Sequence, residues 1–391
     1  MSTQEGSVDS DRDISLDEAT VDFDSELLTN LGSGLINAIL EQEPTEVIKA
    51  LVDSGAPLWY QDEEGLSPLH AAVYVEDAEL VKLLIDEGAV WNAVDNLQNT
   101  AADIALSLNN QECYTLIRDA GIRSELLLAL LSARSTLSST PSSFVIRDTD
   151  DSAAGSTDAF ISSKLRFTKD EFGQEICLLK LKDDEVGVMM GWEREISEFI
   201  PDTRLCESHS NYSQGLKILN VGFGLGIIDT FFQSVAHPPS HHVIIEPHPD
   251  VLQHMRDNGW YNKTGVKILE GRWQDFIESE ELLGFGGFDV IYTDTFSENY
   301  EELRKFFGHL PDLMDGPESR FSFFNGLGAT NALFYDVYTH LSELHLAEDG
   351  LDVDWSDVEV GTDESENRWG KTREYFTLPI YRLPVGHMKS I

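Results

Sequence analysis

The apolar run LKILNV (216–221) leads directly into Gly222-Phe223-Gly224-Leu225-Gly226-Ile227, and a second apolar stretch, IIDTFFQSV, follows. Glycines at a strand-to-helix turn let the backbone come close to a bound group at the open end of a sheet. Glu246 closes the next such run, HHVIIE, about twenty residues further on. A carboxylate in that position can accept hydrogen bonds from a ribose diol, so the two features together point to a nucleoside. The glycine spacing says which. The dinucleotide pattern GxGxxG would need a glycine where Ile227 stands, whereas Gly222, Gly224 and Gly226 satisfy GxGxG, which favours S-adenosylmethionine over NAD.

Two further carboxylates suggest what the nucleoside would react with. Asp294 ends the run FDVIYTD, at the carboxyl edge where ligands of doubly wound sheets sit, and Glu193 follows Trp192 in Gly191-Trp192-Glu193. Paired carboxylates match the planar N–H fork of a guanidinium. A protonated guanidinium has no free lone pair and a pKa above about 12, so methyl transfer to it needs carboxylates that polarise the group and take a proton. Taken singly, Asp294 also reads as a helix N-cap and Glu193 as a solvated surface charge. The histidines of AHPPSHHVIIEPHPD (His237, His241, His242, His248) fit neither a helix face nor a zinc knuckle, and no metal is expected. Trp355 and Trp369, in the acidic DVDWSDVEVGTDESENRW, read either as an acceptor-docking surface or as part of a solvated loop.

The elements that must position these residues follow from pattern. From 216 onward LKILNV, HHVIIE, GVKILEG, FDVIYTD, RFSFFNG and EYFTLPIYRL alternate with helix-length stretches, which predicts βαβ units and a mostly parallel, doubly wound α/β sheet. Ahead of them, KLRFTKDEFGQEICLLKLKDDEVGVMM reads as a hairpin turning at Asp170-Glu171-Phe172-Gly173 and leading into Trp192 and a helix. Nearer the N-terminus, Gly55, Gly88 and Gly121 are 33 residues apart, as are Asp53, Asp86 and Asp119, and Ser67-Pro68-Leu69-His70 aligns with Thr100-Ala101-Ala102-Asp103. That period and helix start resemble the ankyrin repeat, each glycine ending a helix in a left-handed cap. The predicted organisation is an acidic disordered tail (1–25), an all-α ankyrin stack (26–134), a Ser/Thr-rich linker (135–160) and the α/β domain (161–391). The stack reads as a docking surface or, at its plainest, as a spacer.

Composition narrows the partners. The 391 residues carry 27 Lys+Arg against 70 Asp+Glu, a net charge of −43. That field repels nucleic-acid phosphates and attracts basic proteins, although solubility alone is also served by it. There is no apolar run long enough for a membrane helix, and MSTQEGSVDSDRD has none of the basic-then-apolar character of a signal peptide. Cys113, Cys177 and Cys206 are far apart, which suits a reducing cytosol or nucleus.

From about residue 188, VMMGWE, ILNVGFGLGI, HHVIIEPHPDV, LEGRWQDF, FDVIYTDTF, FFNG and REYFTLPIYRLPV resemble the guanidinoacetate methyltransferases, in the same order. With the ankyrin-like segment ahead of it, the whole chain is similar to the fungal type IV protein arginine methyltransferases. The resemblance implies S-adenosylmethionine surrounded by Met189, the loop Phe223 to Ile228, Glu246-Pro247-His248 and Trp273-Gln274, with Gly222 and Asp294 beside it. Asp294 would be the proton acceptor and Glu193 the holder of the guanidine. It further implies methylation of an arginine delta nitrogen in a basic, large-subunit ribosomal protein, in the cytoplasm and nucleus. Two departures stand out. Asn220 replaces the acid usual two positions before the first glycine, which predicts weaker support for the cofactor loop. Arg194-Glu195-Ile196-Ser197 replaces the TPYM that follows WE in the small-molecule enzymes, so contacts made there do not transfer and free guanidinoacetate is disfavoured as acceptor. A small-molecule guanidine methyltransferase with an ankyrin appendage, and an inactive ankyrin adaptor, are the alternatives.

Overall fold

Ser67 and Pro68 start a helix in the way their chemistry dictates. The Ser67 hydroxyl accepts from His70 N at 3.4 Å, Pro68 fills the first turn, and the His70 ring reaches Asn99 O, 3.1 Å away in the next repeat. Thr100 and Asp103 repeat this cap 33 residues later, with Thr100 N donating to Asp103 Oδ2 at 2.8 Å. The computed structural model describes residues 18–137, 155–170, 173–180, 185–194, 196, 205–360 and 374–389. Residues 1–17 of the expected tail, 138–154 of the expected linker, Glu195, Ser197 and the acidic run 361–373 with Trp369 lie outside the described residues. The chain divides into two compact units at Glu125/Leu126.

The first unit is a stack of helices: Glu18–Leu40, Thr45–Asp53, Pro68–Tyr74, Ala78–Asp86, Ala101–Ser107 and Gln111–Leu137, the last running past the division. Leu69, Ala71, Ala72, Val73, Val81 and Leu84 are buried in it. Successive repeats are tied by hydrogen bonds between positions 33 apart: Gln61 Nε2 to Val94 O and Asn96 Nδ2 to Glu63 O, both 2.7 Å. Gly55 and Gly88 take the expected left-handed conformation, with φ of 90° and 94°. Gly121 does not. It lies inside the helix Gln111–Leu137, where the helix formers RSELLLALL carry the backbone straight on, so the third repeat has no terminating cap at its glycine. The first helix also begins at Glu18, within the expected tail.

The second unit is α/β. A three-stranded antiparallel sheet, β1 (Leu165–Lys169), β2 (Glu175–Lys180) and β3 (Glu185–Met189), confirms the hairpin and adds a third strand to it. The main sheet holds β4 (Lys217–Val221), β5 (His241–Glu246), β6 (Val266–Glu270), β7 (Val290–Thr293), β8 (Arg320–Phe323), β9 (Leu351–Glu359) and β10 (Ile380–Met388), in the order β6-β5-β4-β7-β8-β10-β9. Strands β4 to β8 are parallel and β10 runs antiparallel to both β8 and β9. The chain leaves β4 toward β5 and β6 and later returns on its other side through β7. The sheet therefore switches direction between β4 and β7, and a crevice opens at their carboxyl ends. Ile218, Leu219, Val243, Ile244, Val290 and Ile291 are fully buried, as central parallel strands covered on both faces must be. Strand β9 includes Trp355, whose half-buried ring meets Phe323 edge-on at 6.3 Å, so that tryptophan belongs to the sheet rather than to a solvated loop. Among the described residues no helix is long and apolar enough to cross a membrane.

Candidate active site

A cavity of about 430 Å³ occupies the crevice, and Met189, Glu193, Gly222, Gly224, Glu246 and Asp294 all line it, with Pro247 and Trp273. The register explains why. Val221 pairs with Thr293, so the residues that follow, Gly222 and Asp294, emerge side by side. Gly222 has φ of 92°, and a Cβ there would stand 1.9 Å from Asp294 O. Gly224, with φ of 54°, passes so close to Met189 that a Cβ would come within 2.8 Å of its side chain. Only glycine satisfies both positions.

Glu246 ends β5 beneath this turn. Its Oε2 accepts from Phe223 N at 2.9 Å and its Oε1 from His248 N at 2.7 Å, and the residue is 4% exposed. Burial pushes its carboxyl up to about 7, while the backbone N–H groups of Phe223, His248 and Gly224 pull the other way. A buried acceptor anchored at the turn suits a ribose diol.

The expected weakness at Asn220 is corrected by the structure. Its amide donates to Gly222 O at 2.8 Å and to both carboxylate oxygens of Asp229 at 2.9 Å, and His242 Nε2 lies 3.0 Å from Asp229 Oδ1. Asn220, Asp229 and His242 are fully buried. The acid missing from the strand end is thus supplied from the first turn of the helix Ile227–Ser234, and the cofactor loop is held from below.

On the opposite wall Glu193 is 5% exposed, so it is not a solvated surface charge. Its Oε1 accepts from Met190 N at 2.7 Å and from the Tyr375 hydroxyl. Asp294 caps no helix: the next one, Tyr300–Phe307, is capped by Asn299, which accepts from Glu302 N at 3.2 Å. Its carboxylate is left to the cavity. Burial raises the carboxyl of Asp294, and burial followed by the nearness of Asp294 raises that of Glu193. Two carboxyls that resist ionisation together are poised to receive a cation.

Other residues expected around the cofactor stand beside the cavity rather than on its wall, Ile227 and Ile228 lining a small adjoining pocket with Met189, Glu193 and Asp294. Phe223 turns into the core against Trp260, ring centroids 5.1 Å apart. Leu225 N donates to Met189 Sδ at 3.1 Å, and Gly226 starts the helix whose Ile227 and Ile228 are buried. His248 caps the helix Pro249–Asp257 and packs on Phe160 at 4.8 Å. Gln274 is exposed and donates to Glu298 and Glu302. None of these side chains lines the main cavity. The remaining histidines hold local contacts: His237 meets Tyr212 edge-on and His241 meets Phe285 edge-on.

Residues not singled out from the sequence complete the walls. Thr157 and Phe160 come from the helix Thr157–Ile161, inside the stretch read as linker, and Thr157 Oγ1 donates to Ser297 O at 3.3 Å. Glu298 accepts from Trp273 Nε1 at 3.0 Å and Thr295 Oγ1 at 2.7 Å. Tyr375 reaches Glu193 from 182 residues away. The only sequence signal for Phe160 was an aromatic in a Ser/Asp-rich stretch, and Tyr375 stood within the run EYFTLPIYRL with nothing to set it apart there.

This sheet, with a glycine turn, a buried ribose-type acid and paired carboxylates at its switch point, is that of a Rossmann-like methyltransferase. A family model described as Guanidinoacetate N-methyltransferase matches residues 188–313, and one described as Ankyrin repeats (3 copies) matches residues 35–126. The chain is 41% identical over 392 residues to Protein arginine N-methyltransferase 2 of Cryptococcus neoformans var. neoformans, covering 96% of this chain and 100% of that protein. It is 36% identical over 313 residues to the protein of the same name from Saccharomyces cerevisiae, covering 76% of this chain and 74% of the relative. The Aspergillus oryzae protein of that name is 35% identical over 331 residues, covering 76% and 75%. The chain belongs to this family of fungal ankyrin-repeat arginine methyltransferases. It is an enzyme, and the family implies use of S-adenosylmethionine.

Proposed function

We propose that this enzyme methylates the delta nitrogen of an arginine in a basic, ribosomal protein, using S-adenosylmethionine. The observation that carries the reading is the pair Glu193 and Asp294, which line the cavity and the small pocket adjoining it and are both hard to ionise without a cation between them. The glycine turn and Glu246 fit the nucleoside end of the cofactor, whose sulfonium supplies an electrophilic methyl.

The chain's own residues then have distinct tasks. Glu193 and Asp294 bind the two terminal nitrogens of the guanidinium through its planar fork, which leaves the delta nitrogen as the one facing the methyl. With one oxygen on the nearer terminal nitrogen, Asp294 takes the delta N–H proton through its other oxygen, and the electron pair so freed is the one that would accept the methyl the cofactor supplies. Phe160 and Trp273 help keep water out. The net charge of −43 draws a basic acceptor toward the protein, and the ankyrin stack adds a docking surface for it. A ribosomal acceptor would be met in the cytoplasm and the nucleus.

The test is transfer of labelled methyl into a basic ribosomal protein fraction, then hydrolysis and fragmentation of the labelled amino acid. Delta-methylarginine is the expected product. Terminal mono- or dimethylarginine alone would overturn the orientation, and preferential labelling of guanidinoacetate would overturn the protein acceptor.

A further inference from the structure

Tyr375 enters the site from residues 374–379, which lead into β10. Its ring is held between Trp192 and Phe324, with centroids 5.8 Å and 6.5 Å away, and a Cβ on Gly187 would lie 3.5 Å from its Cε1. Among the described residues, both hydrogen bonds taken by the Glu193 carboxylate fall on Oε1: one from Met190 N, the other from the Tyr375 hydroxyl. Oε2 takes none of them and belongs to a residue that lines the cavity.

The Tyr375 phenol keeps its proton here and donates it to Glu193, while its oxygen accepts from the Met190 backbone. Burial first, and then the charge of Glu193, push its ionisation well above the ordinary value. Asp294 at the end of β7 acts in the same sense. The other titratable groups that feel Glu193 and Asp294, Tyr292 on β7 and Tyr381 on β10, are buried phenols displaced in the same direction. Among these groups Tyr375 is the one that donates a hydrogen bond to Glu193. A donor on the anion favours the ionised form, opposing the burial that raises Glu193.

We propose that Tyr375 is a positioning residue for the acceptor: it clamps Glu193 Oε1 and so presents Oε2, as an ionised carboxylate, to the incoming guanidinium. The proposal rests on the reading of Glu193 as the holder of that group. The phenol keeps its proton throughout, and no bond to Tyr375 is made or broken.

The experiment compares wild type, Tyr375→Phe, Glu193→Gln and the double variant, measuring labelled-methyl transfer into a basic ribosomal protein fraction at limiting acceptor, across pH, together with cofactor affinity. Tyr375→Phe keeps the ring and should bind cofactor within about twofold of wild type, while transfer falls roughly tenfold or more, as for loss of a hydrogen bond to a charged group. Its acid limb should move to higher pH, because Glu193 then ionises later. In the Glu193→Gln background, Tyr375→Phe should cost clearly less, since no anion remains to be held. A wild-type pH profile for Tyr375→Phe, or an equal loss in both backgrounds, overturns the positioning role while Glu193 stands. Unchanged transfer in Glu193→Gln overturns the reading of Glu193, and this proposal with it.

Discussion

Asp294 illustrates how a single half-buried carboxyl at a cavity ties activity to stability. Burial raises its folded-state pKa above that of the unfolded chain. The native protein therefore keeps a proton that the unfolded chain has released, and stability falls as pH rises from the ordinary carboxylate range of about 4 toward the higher folded value. Asp294→Asn removes that cost. The variant should melt higher than wild type at pH 8, at roughly 2–4 °C for each kcal/mol recovered, and the gap should narrow at pH 5. Turnover should nevertheless fall by roughly 10²–10⁴ as the proton acceptor is lost. Calorimetric melts at the two pH values and single-turnover labelling check both halves, and a variant with wild-type turnover would remove the assigned role. Glu246→Ala is the cofactor-side counterpart. It should weaken S-adenosylmethionine binding by about 1.5–3 kcal/mol, because the ribose loses charge-assisted acceptors. An unchanged dissociation constant would mean the ribose sits elsewhere.

The strand–turn–helix element at 217–234 poses a different question, since its support is a matched donor and acceptor. Asn220→Asp alone sets two buried carboxylates against each other, and Asp229→Asn alone leaves the Asn220 amide without its anion. Each should loosen cofactor binding by about tenfold or more, as a broken buried hydrogen bond to a charge does. Exchanging both, Asn220→Asp with Asp229→Asn, restores one donor facing one anion, and affinity should recover in part although Gly222 O loses its donor. Cofactor titration of the double variant showing the plain sum of the two losses would deny the coupling. The elements themselves were largely legible in the sequence, because fully buried parallel strands such as LKILNV and HHVIIE leave continuous apolar runs. Strand β9 was not. Along LDVDWSDVE carboxylates fill the exposed positions of an edge strand, and charge hid a period-two pattern. The cofactor turn, Glu246 and the paired acids could be placed because they end such runs. Phe160 and Tyr375 could not, because nothing local marks which distant segment folds over a cavity.

At the scale of the molecule, each compact unit has its own buried apolar residues, and the segment that packs on the cavity starts by Thr157. A fragment beginning near residue 155 should therefore fold, bind cofactor like the full chain, and methylate a basic protein acceptor less efficiently for want of the stack. Starting instead at residue 165 removes Phe160 from the cavity wall, and cofactor affinity should drop. Full activity of the first fragment on intact acceptor would reduce the stack to a spacer. Equal affinity in the two fragments would remove Phe160 from the site.

The 182-residue span between Glu193 and Tyr375 also sets an order of events during synthesis. A chain emerging from the ribosome can build the glycine turn and Glu246 with its first parallel strands, but the partner that steadies Glu193 is made only after β4 to β9. On that ordering, the turn side of the cavity is complete in a nascent chain well before Glu193 has both of its hydrogen-bond donors.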